Sequence, residues 1–505
     1  MCPQSCRFVA VLAACLALWV TAPAQAREVL VVDGPRATLT EDPLAPPAAG
    51  SDLGREPGAA RHTSPRAKLA KRRRPPRGQR AVRAALARAV RSGGVSRGRR
   101  GAYGRTYALA RSRHRRLRGA RRRELGSVIA TLEAIALRRQ LSASRMPALF
   151  LILRRNAEFW PRSPFPANRG LVSFAGSELL FEYYSGHGLQ LQPLVNFKQA
   201  NAMHGACVKH TGPCEPADLR RLLDEMIATS ARRGGFRTWE YYFRFGGGRP
   251  PWISGMAQAT GIQAFGRASK LLGESGYHRY ASESFAAFET SPPIGVATAG
   301  PFGGTHYLQY SFAPRLFIIN AFLQAVIGLY DYAEITGDET ARRLSLQAEP
   351  EARREVPAND TGDWSTYSYR GAESSREYHE LLREFLSGLC GRLRLETYCE
   401  AARRFRLYTT EPAVLQLIGP GTAIEGQETR VRFSVSKLSA VQITISREGK
   451  TALDRVARFR RGTGSFAWKP RATGAYRVQL AAKELRTGRE LRTRTSGEID
   501  SQPAG

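Results

Sequence analysis

The spacing of apolar residues changes once along the chain, and this change most limits what the chain can fold into. From about residue 125 to about residue 404, apolar residues recur every three or four positions, as in "LRRLLDEMIATSARR", which predicts amphipathic helices. After Glu411 they recur every second position, as in "RVRFSVS" and "AVQITIS", which predicts short strands. We therefore expect a mainly α protein with a helical domain over 125–408, a β-sandwich over 409–496 and a tail over 497–505.

The order of these elements narrows the architecture further. Amphipathic helices with short breaks follow one another from Leu219 to about Arg404, and the loops between them carry aromatic and polar residues. Repeated helical pairs of this kind predict an α/α toroid, a barrel of helical hairpins whose loops line a cleft at one end. The strands that follow, about seven over roughly 80 residues, fit an immunoglobulin-like sandwich. Because no cluster of catalytic residue types lies among these strands, we expect a spacer or adhesion module there.

The first 26 residues have the composition of a secretory signal peptide. The apolar run "FVAVLAACLALWV" follows Arg7 and precedes "APAQA", in which Ala24 and Ala26 form a small-residue cleavage pattern. We expect cleavage after Ala26. The run is too short to span a bilayer comfortably, and no other stretch of the sequence is long and apolar enough, which predicts a soluble, secreted mature chain.

The positive charge of the chain is concentrated in one segment. The formal net charge is +34, and the stretch from Arg61 to Arg123 contains 24 Lys and Arg residues and no Asp or Glu. Residues 27–124 are rich in Pro, Ala, Gly and Arg and poor in large apolar side chains, so we expect a disordered basic segment there, with fragments of basic helix over 81–123. In an exported chain such a segment favours acidic cell-surface polymers or an acidic polysaccharide over nucleic acid, although a solvated linker explains the composition equally well.

The cysteines outside the predicted signal peptide fall into two close pairs. An even number of cysteines in an exported chain indicates disulfides, and the spacing favours Cys207–Cys214 and Cys390–Cys399. A metal site is the rival interpretation. The sequence shows neither CxxC spacing nor paired His near these cysteines, so we expect no metal there.

Three stretches collect residue types that can carry chemistry. They are "GGRPPWISGMAQATG" (247–261), "GGTHYLQYSFAP" (303–314) and "NDTGDWSTYSYRGAESSREYHELL" (359–382). Taken alone they are weak signals, because Tyr near a helix end usually packs with its hydroxyl satisfied. The glycine runs at 246–248 and 303–304 are not followed by Gly-Lys-Ser or Gly-Lys-Thr, so neither predicts a phosphate-binding loop.

Four motifs in matching order resemble the C-terminal domain of the D-glucuronyl C5-epimerases, enzymes that act on heparosan and heparan-sulfate precursors. The motifs are "PPWISGMAQATG", "FIINAFLQAVIGLYDYAEITGDE", "NDTGDWSTYS" and "YHELL". The resemblance covers roughly residues 235–400. It implies a reaction in which a base removes the C5 proton of a uronic acid next to its carboxylate, and an acid returns a proton on the opposite face. That chemistry requires no organic cofactor.

The resemblance also assigns roles to individual residues. Tyr378 would be a catalytic acid/base, and the Arg370 guanidinium would grip the substrate carboxylate with two hydrogen bonds. Tyr310 and Tyr367 would be supporting or proton-relay phenols. A Tyr can act as acid or base if a neighbouring cation lowers its pKa. Further residues expected to line the cleft are Trp252, Tyr307, Asn320 and His379; Asn320 fits a satisfied core amide equally well.

Gln309 departs from the family pattern, which has a Glu before the Tyr at this point. An amide cannot exchange the proton that the second acid/base must supply. Three alternatives stay open: His306 or a phenol takes that role, the enzyme runs a one-base β-elimination as a uronate polysaccharide lyase, or the cleft binds an acidic glycan without turning it over. The expected partner in all three is a glucuronate-containing polysaccharide.

Overall fold

The computed structural model describes residues 27–46 and 76–504, which form a helical domain followed by a β-sandwich. The helices are α1 (Arg77–Arg91), α2 (Arg97–Arg116), α3 (Gly119–Leu137), α4 (Met146–Phe159), α5 (Pro193–Lys209), α6 (Pro216–Thr229), α7 (Gly255–Leu272), α8 (Gly276–Ser282), α9 (Ile319–Thr336), α10 (Glu339–Ala358), α11 (Arg376–Leu393) and α12 (Glu396–Thr410). The strands of the helical domain are β1 (Arg27–Asp33), β2 (Arg36–Asp42), β3 (Leu171–Phe174), β4 (Phe181–Tyr184), β5 (Gly188–Leu191), β6 (Ala231–Arg233), β7 (Phe236–Thr238), β8 (Ala297–Ala299) and β9 (Thr305–Tyr307). The predicted signal peptide over 1–26 lies outside the described residues.

A five-stranded sheet joins the start of the described chain to residues 171–191. Its strand order is β2-β1-β3-β4-β5, and β1 pairs in parallel with β3, so that Val29 lies opposite Leu171. The predicted disorder over 27–124 is therefore wrong for 27–46. The apolar run in β1 is short, and it is stable as a strand because β2, the next strand in the chain, pairs with it along its whole length and the distant β3 pairs with its other edge.

The prediction of disorder is also wrong for residues 76–124, which form α1, α2 and part of α3; residues 47–75 lie outside the described part of the chain. Small residues carry the packing, since α1 buries Val82, Ala85, Leu86 and Ala89. Ala and Arg are both strong helix formers. Packing one face against neighbouring helices then stabilises helices that contain few large apolar residues.

Glycines allow close contact between the central helices. A Cβ atom on Gly328 of α9 would lie 2.5 Å from the carbonyl oxygen of Ala259 in α7, and one on Gly261 would lie 2.7 Å from the Phe197 ring of α5. Neither contact is possible for a larger residue without separating the helices. Because α9 also packs against α10 and α11, this close contact sets the position of the loops that carry the tyrosines discussed below.

The C-terminal strands form a β-sandwich, as the sequence predicts. The strands are β10 (Leu415–Gly419), β11 (Thr422–Ile424), β12 (Thr429–Val435), β13 (Ser439–Arg447), β14 (Lys450–Phe459), β15 (Gly462–Trp468), β16 (Gly474–Glu484) and β17 (Arg492–Gln502). Sheets of order β10-β12-β15 and β11-β17-β16-β13-β14 enclose one apolar core. The predicted tail over 497–505 is wrong up to Gln502, because β17 continues to pair with β16.

Charged side chains fix the sandwich to the helical domain. Lys437 Nζ donates to the carbonyl oxygens of Leu407, Tyr408 and Glu411 at 2.9, 3.1 and 2.6 Å, at the C-terminal end of α12, where backbone carbonyls lack helical partners. Arg486 Nη1 bonds Asp363 at 2.6 Å. The sandwich therefore contacts the loop between α10 and α11.

Both predicted disulfides, Cys207–Cys214 and Cys390–Cys399, are present. The second joins α11 to α12 near their connection. Among the residues that the structure describes, no helix has both the length and the apolar character that a membrane span requires.

Candidate active site

A hairpin from Tyr241 to Trp252 presents aromatic rings on one face. Tyr241 and Trp252 form a backbone bridge, and their rings stack with centroids 4.1 Å apart. Phe243 and Phe245 pack against the Trp252 ring. Tyr310 completes the group, with its ring centroid 5.7 Å from those of Trp252 and Phe245. We call these five residues the aromatic wall. All five side chains are buried, with at most 6% of their surface exposed, so the aromatic wall is a packed cluster beneath the surface of the site.

Gln309 is buried beside Tyr310. Ser254 Oγ donates to Gln309 Oε1 at 3.1 Å and accepts from Ala257 N at 3.1 Å, which makes Ser254 the N-cap of α7. The amide that stands where the family pattern has a carboxyl group is therefore held at the start of a core helix.

Tyr367 lies in the loop between α10 and α11. Its ring packs against the aromatic wall and lies 4.9 Å from the Tyr378 ring, centroid to centroid. Backbone bridges within the loop, and one between Ser368 and Ile318, hold the loop against the start of α9. The structure thus places Tyr367 in ring contact with Tyr378 and against the cluster that contains Tyr310, and the catalytic roles of the three tyrosines stay predictions.

Tyr378 is held by the first turn of α11. Its backbone N–H donates to the N-cap Ser375 Oγ at 3.4 Å, and its carbonyl oxygen accepts from Asn320 Nδ2 at 3.0 Å. Asn320 Oδ1 is buried and has no hydrogen-bond partner among the described residues. Asn320 therefore positions Tyr378 through the backbone and keeps one buried acceptor beside it.

His379 is buried in the core of the helical domain. Its ring is fully buried and stacks on Trp364, with centroids 3.9 Å apart. The Phe405 carbonyl lies 3.1 Å from Nε2 and Ser365 Oγ lies 2.8 Å from Nδ1. Because a carbonyl only accepts, Nε2 carries the proton and Nδ1 accepts from Ser365. Burial lowers the pKa of His379 to about 4, and the predicted contact with substrate finds no support in this geometry.

A guanidinium that the sequence analysis missed lies next to the tyrosines. Arg169 bonds the buried carboxylate of Glu182, lies 5.0 Å from the Tyr184 ring centroid and is close enough to Tyr378 for their charges to interact. Burial opposes the charge on Arg169, yet Tyr184, Glu182 and Tyr378 together raise its pKa. Arg27 supports this residue from β1 by donating to the Arg169 carbonyl at 2.5 Å.

Tyr184 is part of the same group. Its hydroxyl donates to Glu182 Oε2 at 2.9 Å and accepts from Gln192 Nε2 at 3.2 Å. Burial and the charge of Glu182 raise the pKa of Tyr184, although Arg169 opposes them. These residues precede the stretch that carries the family motifs. The signal available in the sequence was "FEYY", a glutamate among aromatic residues of a buried strand.

Arg370, the predicted carboxylate clamp, lies on the exposed tip of the loop between α10 and α11. Its backbone φ is +54°, and its guanidinium lies 5.1 Å from the Tyr369 ring centroid. The Tyr369 ring in turn packs against Phe302. In this conformation Arg370 is on the surface beside the tyrosine cluster, and its role as a clamp stays a prediction.

The structure separates His306 and Tyr307 from the aromatic wall. Both are fully buried. His306 Nδ1 lies 2.7 Å from Glu355 Oε1, and burial raises the pKa of that carboxyl group. Tyr307 OH donates to the Leu344 carbonyl at 2.8 Å, and burial raises its pKa. Neither residue reaches the surface that a polymer would contact.

Comparison with known proteins identifies one family over part of the chain. Residues 233–406 match the family model "D-glucuronyl C5-epimerase C-terminus". The predicted family resemblance is confirmed. The match covers every member of the aromatic wall together with Tyr367 and Tyr378, whereas Arg169 and Tyr184 precede it.

Two relatives and one solved structure extend the comparison. A D-glucuronyl C5-epimerase of Caenorhabditis elegans is 30% identical over 133 residues, which are 24% of this chain and 22% of that protein. An uncharacterised protein of Methanocaldococcus jannaschii is 24% identical over 179 residues, 34% of this chain and 58% of that protein. The chain therefore spans less than two thirds of either relative. The match to a solved structure, a Cellulomonas fimi endo-beta-1,4-mannanase double mutant, covers 71% of this chain and 82% of that chain, at 12% identity and a TM-score of 0.13.

Proposed function

We propose that the chain inverts C5 of D-glucuronate residues in a polysaccharide, by proton abstraction next to the carboxylate and reprotonation on the other face. One observation carries the proposal: three phenols and a guanidinium from four separate segments meet at the aromatic wall. They are Tyr310, Tyr367, Tyr378 and Arg169. The match of residues 233–406 to the epimerase family supports the same chemistry.

The proposed mechanism assigns the first proton transfer to Tyr378. The positive charge of Arg169 nearby favours the phenolate form that a base requires. A uronate C5 proton is very weakly acidic, so a cation must also stabilise the charge that develops on the substrate carboxylate. Arg370 is the candidate from the resemblance, and Arg169 is the candidate from the geometry. Asn320 Oδ1 would accept a hydrogen bond from a sugar hydroxyl.

Further features of the proposal concern the whole protein. The helices that carry the site fit the α/α toroid expected from the sequence, and the sandwich fits an immunoglobulin-like type. Export is supported by the two disulfides, which form readily outside the cytosol. An acidic polymer is the proposed partner of the exposed arginines on α1 and α2. These helices contain no Asp or Glu, so their surface charge is positive throughout and attracts polyanions.

The experiment that tests the proposal is incubation with heparosan and other glucuronate polymers in deuterated water, followed by NMR at C5. We expect deuterium to enter C5 and the C5 signals to invert. Tyr378→Phe should reduce exchange by about 100-fold or more, which is the usual contribution of a positioned acid or base. The substitution removes only the hydroxyl and keeps the ring and the backbone hydrogen bonds to Ser375 and Asn320, so this variant should fold normally.

Two arginine variants identify the clamp. Arg370→Gln removes an exposed cation, whereas Arg169→Lys keeps a charge next to the buried Glu182 but loses the planar fork. A loss of exchange in only one of them assigns the clamp to that residue. Absence of exchange from every polymer, by folded protein that still binds uronate chains, would overturn the proposed activity and leave a binding site.

A uronate lyase is the second candidate, and Gln309 is the observation that favours it. β-Elimination shares the first proton abstraction but needs no second acid/base at the position where the amide stands. New double-bond protons in the same NMR spectra, with ultraviolet absorbance of unsaturated uronates, would identify elimination. Inverted C5 signals without these products would exclude it for those substrates.

A further inference from the structure

The tip of the Tyr241–Trp252 hairpin carries two exposed arginines. Phe245 and Gly248 form the last bridge of the hairpin, and Gly246 and Gly247 make the turn with φ of +50° and +84°. Arg244 and Arg249 flank this turn and are both exposed. A Cβ atom on either turn glycine would meet no other atom within 4 Å, so the space above the turn is open.

A third arginine reaches the same place from a distant element. Arg138, the C-cap residue of α3, donates from Nη2 to the Pro250 carbonyl. Pro250 and Pro251 thus connect Arg249 to Trp252 of the aromatic wall, and Arg138 is bonded to this connection. Three guanidinium groups from two elements are therefore gathered at one end of the hairpin, next to the buried aromatic wall.

These three cations have no acidic partner. Within residues 27–46 and 76–504, neither Arg138 nor Arg244 nor Arg249 forms an ion pair with Asp or Glu, although ion pairs are abundant elsewhere in the chain. Burial lowers the pKa of Arg138, and the charges of Arg244 and Arg249 lower it further. Because like charges repel, cations that are held close together are stabilised when an anion binds between them.

We propose that Arg138, Arg244 and Arg249 form an anion subsite for the carboxylate of a uronate residue that lies outside the reacting position. The inference rests on the proposed function, because it takes the polymer substrate from there. Guanidinium groups suit a carboxylate because their fork of N–H donors matches its two oxygens.

The hairpin leaves the arginines open to a polymer. Alternation along the hairpin places Phe243 and Phe245 in the buried aromatic wall and Arg244 on the opposite, exposed face. The glycine turn between Arg244 and Arg249 is also exposed, and no side chain stands above it. A uronate residue outside the reacting position can therefore contact the arginines, so the subsite strengthens the binding of long chains and not of a single sugar.

The test compares two triple variants of the full chain that lose the same charge. Arg138→Gln/Arg244→Gln/Arg249→Gln removes the subsite. Arg432→Gln/Arg455→Gln/Arg458→Gln removes three exposed arginines of the β-sandwich and is the control for net charge. Binding of heparosan oligosaccharides of increasing length is measured by isothermal titration calorimetry at low and high salt. If the triple variant does not fold, Arg244→Gln/Arg249→Gln leaves the Arg138 bond to Pro250 in place.

We expect the subsite variant to bind long oligosaccharides about tenfold more weakly, which corresponds to about 1.4 kcal/mol. It should bind the shortest oligosaccharide as the unmodified chain does, and its affinity should depend less on salt. The sandwich variant should change little. Equal weakening in both triple variants, or in neither, would overturn the subsite.

The same samples separate failure of the subsite from failure of the proposed function. C5 exchange with unchanged length dependence in the variant would overturn the subsite while the activity stands. Length-dependent binding through the arginines without any C5 exchange would overturn the activity while the subsite stands. If the unmodified chain binds no uronate polymer, both are overturned.

Discussion

At the residue scale, His379 links the stability of the helical domain to pH. Burial lowers the pKa of His379 to about 4, whereas an unfolded chain binds a proton on His near pH 6.5. Between these values the unfolded state holds more protons than the native state, so the free energy of unfolding increases with pH. The stabilising contribution is complete above about pH 6.5 and is lost as the pH falls toward about 4.

We expect the melting temperature to fall from about pH 6.5 to about pH 4, and His379→Gln to remove part of this fall. Melting followed by near-ultraviolet circular dichroism measures both. His204→Gln should remove a similar part, because burial and the charges of Arg267, Lys209 and Lys270 also lower the pKa of His204 to about 4. The control is His210→Gln, which replaces an exposed histidine at the end of α5. A His379→Gln variant with the full pH dependence would contradict the prediction.

Residues of the site differ in how far the sequence could predict them. Tyr310, Tyr367 and Tyr378 could be selected from the sequence because they lie within the family motifs, and their roles stay predictions. Arg169 and Tyr184 could not be assigned in that way, since they precede the motifs and join the site only through the five-stranded sheet. The residue pattern gave no means to tell that both candidate histidines are buried.

At the scale of elements, the loop between α10 and α11 depends on the β-sandwich. Arg486 bonds Asp363 at 2.6 Å and Glu373 at 2.8 Å, and lies over the Trp364 ring. Leu438 N donates to Asp363 at 3.2 Å. The sandwich therefore holds the loop that carries Tyr367, which goes beyond the spacer role expected from the sequence.

Arg486→Gln should destabilise this contact by about 3 kcal/mol, because it leaves the buried Asp363 carboxylate without its cation. Hydrogen exchange should become faster in residues 359–373 while the core of the sandwich stays protected. Arg492→Gln is the control. Its pair with Glu490 is exposed, and such pairs contribute less than about 1 kcal/mol. Unchanged exchange in the loop would show that Arg486 does not hold it.

The elements that the sequence predicted are those with a regular apolar pattern of their own. α7, α9 and α11 carry apolar residues at helical spacing, and the sandwich strands alternate, although most of them pair with strands that are not consecutive in the chain. α1 and α2 were expected only as fragments of basic helix, because they contain few large apolar residues. β1 pairs with the distant β3, which no local pattern reports, but its hairpin with β2 has a local signal, the Asp33-Gly34 pair at its turn, that the sequence analysis missed.

At the scale of the whole molecule, one core joins β1 at the start of the described chain to α12. The domain boundary predicted at 125 does not exist in the structure, because α1 packs on α3 and Arg27 contacts Arg169. Near the boundary predicted at 409, α12 ends at Thr410 and the first strand of the sandwich begins at Leu415. A change in composition predicts a domain boundary where residue types change. The extent of a domain is set by which residues pack together, and residues on both sides of 125 pack in one core.

The pairing of α11 with α12 is closed at both ends, by Cys390–Cys399 near the connection and by the His379 bond to Phe405 at the other end. Only the first is sensitive to a thiol reductant, and a loop this short limits its contribution to roughly 2–3 kcal/mol.

We expect dithiothreitol, or Cys390→Ser/Cys399→Ser, to lower the melting temperature by a few degrees while C5 exchange persists. Cys207→Ser/Cys214→Ser is the control, because it removes a disulfide away from α11 and α12. Exchange abolished in the reduced but folded protein would contradict this. Otherwise, folded protein can be produced in a reducing cytosol, without passage through an oxidising compartment.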